Sequence, residues 1–103
     1  MSQSEEPTIL NVNALVSKGW LYKDLNWVKA GLFQFIIELY GEDGKDIVVI
    51  ATSQRTRGDV FQRGQFFVSP EANERFVKWY NDGGLNRLRL EHPEWFGDDL
   101  STT

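Results

Sequence analysis

From Leu32 to Tyr40 the chain reads Leu-Phe-Gln-Phe-Ile-Ile-Glu-Leu-Tyr, which places Phe33, Phe35, Ile37 and Leu39 on one side at period two. That spacing predicts a strand whose other side is only partly polar. Gly41-Glu-Asp-Gly44 follows, and then Ile47-Val-Val-Ile50. Asp-Gly between two such runs predicts a tight hairpin, because Gly accepts the positive φ of the turn. Thr52 to Asp59 is polar and predicts a loop. Gly64 to Val68 predicts another strand, with Val60 and Phe61 as an extension before it. Ahead of the central run, Gly19 to Trp27 suits a half-buried strand and Ala30-Gly31 a break. Residues 8–17 fit a short strand or one helical turn equally well.

Ser69-Pro70-Glu71 then opens a helix over 70–81. The serine caps free backbone donors, proline fits the first turn, and glutamate suits the positive end of the helix dipole. Ala72, Phe76, Val77, Trp79 and Tyr80 fall on one side of it. Asp82-Gly83-Gly84 ends the helix. Leu85–Leu90 is a further regular segment of unassigned type, stopped at His92-Pro93, with Trp95 and Phe96 packing beyond it. The pattern predicts an α+β fold. A curved antiparallel sheet of about four strands is followed by one amphipathic helix on one face and a short C-terminal extension. One domain over 8–97 is expected between disordered acidic tails at 1–7 and 98–103.

Composition supports one core. The 103 residues are 41% apolar and 14% aromatic, with four Trp, three Tyr and seven Phe. With no Cys, a disulfide framework, a thiol nucleophile and a thiolate metal site are excluded. The polar, acidic N-terminus is unlike a secretory leader, and no apolar run is long enough to span a membrane. A cytoplasmic protein is expected. The net charge of −4 is unevenly spread: residues 18–89 hold all eleven Lys and Arg against nine Asp and Glu. The body is therefore slightly basic and the ends acidic.

Catalytic chemistry has little material. His92 is the only histidine and reads as a turn residue, so nucleophile–base pairs are unsupported. No phosphate-cradling glycine motif occurs. Glu42, Asp43 and Asp46 lack calcium-loop spacing and read as a solvated turn. A non-enzymatic protein without cofactor or metal is expected.

Three groups carry the candidate chemistry. Lys18-Gly-Trp20-Leu-Tyr22-Lys23, with Trp27 and Lys29 beyond, mixes rings and cations as single-strand binders do; the same rings also suit packing. Arg55, Arg57 and Arg63 lie in a polar stretch, and guanidinium donors match phosphate oxygens two at a time. Phe76, Trp79 and Tyr80 either complete the core or form a dimer interface.

The stretch from Gly19 to Tyr80 resembles the positive-cofactor-four coactivators and the purine-rich-element-binding proteins. Lys18-Gly19-Trp20, the long run with its acidic Gly turn, the basic stretch, and Gly64-Gln-Phe-Phe-Val-Ser-Pro-Glu-Ala-Asn-Glu-Arg-Phe-Val-Lys78 carry the resemblance. It implies single-stranded DNA or RNA held on a curved sheet, with Trp20, Tyr22 and Lys23 on the face, Arg55, Arg57 and Arg63 flanking it, and helices building a homodimer. The acidic net charge and the lack of a basic arm before the first strand depart from that pattern. Two readings result: a small single-stranded nucleic-acid-binding protein, or a protein-interaction module or inhibitor that uses the same rings or its acidic ends.

Overall fold

Leu32–Tyr40 is helical, which overturns the central strand of the sequence pattern. Phe33, Ile36 and Tyr40 recur at helical spacing and are buried. Gln34 donates to Glu38 one turn on, at 2.9 Å, on the exposed side. The computed structural model describes residues 9–96, so the expected tails at 1–7 and 98–103 lie outside the described residues. In chain order the elements are α1 (Ile9–Ser17), β1 (Leu21–Lys29), α2 (Ala30–Tyr40), β2 (Ile47–Arg57), β3 (Asp59–Val68), α3 (Pro70–Asn81) and α4 (Gly84–Glu91), then a 3-10 turn at Pro93–Trp95.

The class is α+β, but the predicted sheet of about four strands followed by one helix is wrong. Three antiparallel strands in the order β1-β3-β2 stand with four helices among the described residues. One helix, α2, is inserted between β1 and β2. The acidic turn does bend the chain, with Gly44 at φ 85°, yet it joins α2 to β2 and makes no hairpin. The hairpin lies at Arg57-Gly58-Asp59, where Gly58 has φ 95°. The expected loop over 52–59 is thus mostly strand. Thr52 to Thr56 are exposed on both faces, so they carry no apolar alternation. No helix among the described residues is long and apolar enough to cross a membrane.

Cross-strand register assigns the two faces. Val68, Phe66 and Gly64 of β3 pair with Leu21, Lys23 and Leu25 of β1 and with Ile47, Val49 and Thr52 of β2. This face carries α2 and α3. Phe66, Ile47 and Val68 are fully enclosed there with Ile36, Tyr40 and Ala72. A Cβ on Gly64 would stand 2.5 Å from the Phe33 ring, so glycine is what lets α2 lie this close to β3. Phe67, Gln65, Arg63 and Phe61 alternate onto the second face.

The helix over 70–81 forms as its sequence predicts. Ser69 Oγ accepts from Ala72 N–H at 3.1 Å, and Ser69 N–H donates to the Asp46 carbonyl at 2.8 Å. Arg75 donates to the Tyr40 carbonyl and lies 3.5 Å from the Asp46 carboxylate. One arginine therefore ties α3 both to the end of α2 and to the turn beyond it.

Burial pushes the Tyr40 hydroxyl up to about 12. An unfolded tyrosine ionises near ~10, so the unfolded chain releases this proton first as pH rises. Stability is then fully present below about pH 10 and falls between about 10 and 12, by roughly 2–3 kcal/mol. Urea midpoints measured across that range should decline in the wild type and decline less in Tyr40→Phe. Equal slopes would contradict the buried hydroxyl.

Candidate functional site

The second face gathers rings and cations at one end, where β1 runs into α2. Register places Lys29, Phe61 and Arg55 in one row across all three strands. Between Leu25 and Val28 the pairing shifts by one residue, and Trp27 sits in that bulge at φ 51°, a left-handed conformation unusual for a bulky side chain. The bulge brings the half-buried Trp27 ring under the exposed Arg55 guanidinium, 4.2 Å from its centroid. Lys29 Nζ lies 5.5 Å from the Phe61 centroid and 2.9 Å from the Asp59 carboxylate. Next to this row, Arg63 approaches Asp24 at 3.7 Å.

Behind Trp27 opens a recess of about 230 Å³, lined by Trp27, Lys29, Leu32, Phe61, Trp95 and Phe96 among others. Trp95 is clamped in place. Its indole covers Gly31, where a Cβ would collide with Nε1. The His92 ring stacks on it at 3.9 Å with planes 6° apart, and Phe35 lies 6.1 Å away. His92 is therefore a packing partner of Trp95, more than a turn residue. Its Nδ1 is 3.1 Å from Glu94, whose carboxyl is held below its usual range by its own backbone N–H and then by His92.

The sequence-predicted residues divide into two groups. Trp27, Lys29, Arg55 and Arg63 come together. Tyr22 shares their face but stands in the Phe67 row, six β3 residues from the Phe61 row, or roughly 20 Å at ~3.3 Å per residue. Lys23 pairs with Phe66 and so projects to the helix face, opposite to Tyr22; the expectation that the two share a face is corrected. Trp20 is half-buried before β1, with its N–H bonded to the Leu15 carbonyl, and Lys18 is exposed in the turn preceding it. Arg57 closes β2 opposite Asp59, and its side chain lies outside the described ones.

Of the residues expected at a dimer interface, Phe76 stacks on Tyr40 at 4.8 Å, and Trp79 packs on Phe35 and Phe76 within the chain. Tyr80 is 55% exposed. Sequence reasoning missed Phe61, Trp95 and Phe96 as site residues. The signal available was the third adjacent aromatic pair, Trp95-Phe96, after a stretch of Arg and Leu. Compared with family models, curated proteins and solved structures, the chain matches none of them.

Proposed function

We propose that this protein binds single-stranded nucleic acid at the Trp27 end of its sheet. The observation that carries the reading is the cross-strand row of Lys29, Phe61 and Arg55 beside the Trp27 ring. Single-strand binders combine ring faces for bases with cations for the backbone, and stacking is worth about 1–3 kcal/mol per base. The cations here are able to change partners. Half-buried Lys29 pairs with the exposed Asp59 carboxylate, and a pair open to water on one side is worth about 1 kcal/mol, so a phosphate oxygen competes for the ammonium. Arg55 has an exposed guanidinium on a ring, which leaves its in-plane donors for phosphate. Residues 18–89 carry a net charge of +2, although Glu94 of the acidic C-terminal stretch sits beside His92 and Trp95 at the edge of the site.

Titration of an oligothymidylate at low salt should change the tryptophan emission. Affinity should fall linearly with salt on logarithmic axes, with a slope near −0.7 per phosphate neutralised. Arg55→Ala should flatten that slope by about one phosphate. An emission unaltered across the titration rejects the reading.

One observation favours a second reading. β2 is an edge strand, exposed from Ala51 to Thr56 and free of Pro and Lys there. Such an edge offers main-chain groups to the strand of a protein partner, including a second copy of this chain. Sedimentation equilibrium across a concentration series tests the homodimer; a monomer mass throughout rejects it.

A further inference from the structure

We propose that the recess behind Trp27 receives one unpaired base of the bound strand. This rests on the nucleic-acid reading above and gives it a stoichiometric contact. A volume of about 230 Å³ is many times the ~10–15 Å³ that one water needs and below the ~300 Å³ where pockets for drug-sized ligands begin. It has room for one ring system. Trp27, Phe61, Trp95 and Phe96 supply aromatic walls, and Lys29 supplies a cation at the same opening.

The charges around the rings select the occupant. An aromatic cage holds a quaternary ammonium through the negative ring quadrupole, which a cation already lying on either face offsets. Here the Trp27 ring already carries Arg55 at 4.2 Å, the Phe96 ring carries Arg89 at 4.8 Å, and Lys29 lies over Phe61 at 5.5 Å. Against these three cations stand Asp59, on Lys29, and Glu94, beside Trp95, so the excess is positive, and a flat neutral ring attached to an anionic backbone complements it better than a cationic group does. The walls are also set before any ligand arrives. Gly31 beneath and His92 alongside hold Trp95, and the bulge keeps Trp27 in a left-handed conformation that is strained for a bulky residue. Strain retained beside a recess of this composition is expected where a side chain must be aimed.

The test uses strands of abasic sugars carrying either a single 2-aminopurine or no base, titrated into the full chain at low salt. The single base should tighten binding roughly five- to 150-fold, the range set by one stacked base. Its emission should be quenched on binding. Leu32→Trp, which fills the recess, and Phe61→Ala, which removes a wall, should both erase the difference between the two strands. The abasic comparison itself needs no variant, so it stands even if these substitutions unfold the chain. Oligothymidylate that binds while the two abasic strands bind equally overturns the recess and leaves the broader reading intact. No binding of oligothymidylate overturns both. Equal affinity for polyglutamate assigns the cations to an acidic protein segment and overturns the base contact.

Discussion

Replacing Phe66 with alanine should remove about 3–5 kcal/mol of stability. Phe66 is fully enclosed at the centre strand, meets Tyr40 edge-on at 5.7 Å, and pairs across the sheet with Lys23 and Val49. The lost ring forfeits its transfer free energy, and α2 and α3 are held too firmly to fill the void. Arg75 ties α3 to the end of α2, and Ser69 ties its start to the Asp46 turn. A chain of 103 residues has roughly 5–15 kcal/mol in total, so this one change takes from about a fifth to all of it. Urea unfolding followed by tryptophan emission should show a much lower midpoint at a similar slope. A loss below about 1 kcal/mol would mean that Phe66 is not at the centre of the core.

The same core explains why the sequence pattern misled at α2. Phe33, Ile36 and Tyr40 face the sheet, while Phe35 turns to Trp79 and Trp95. A helix buried on two sides is apolar nearly all round, so a period of two fits it as well as 3.6. Its β-branched and aromatic content pointed the same way, and tertiary burial overrode that propensity. Helical spacing at 33, 36 and 40 with Gln34 and Glu38 one turn apart was the legible counter-signal. By contrast, Ser69-Pro70-Glu71 fixes its helix through local hydrogen bonding alone, and such signals read reliably from sequence.

The candidate site was half legible for a related reason. Trp27, Lys29, Arg55 and Arg63 are recognisable by residue type. Which of them meet depends on register, and register here turns on two bulges, in β1 and in β2. A shift of one residue reverses every side chain beyond it. Without the β1 bulge Lys29 would leave the row it shares with Phe61 and Arg55. Trp95 and Phe96 reach the recess only through α4 and the 3-10 turn, a path no local pattern encodes.

Trp27→Gly should separate binding from folding more sharply than any other single change. Most deletions of a half-buried ring destabilise. Here the ring sits at φ 51°, where glycine is at ease and a bulky residue is strained by about 1–2 kcal/mol. Relief of that strain and the lost contact with Arg55, worth about 0.5–1 kcal/mol at an exposed site, act in opposite directions. The greater freedom of glycine in the unfolded chain offsets a further part of the relief. The urea midpoint should therefore move little, whereas oligothymidylate affinity should drop roughly five- to 150-fold through loss of one stacked base. Trp27→Ala keeps the strain, loses the same contacts, and should be the less stable of the two at equal loss of affinity. If Trp27→Gly instead binds as tightly as the wild type, the ring at the bulge is a structural plug and the nucleic-acid site does not lie here.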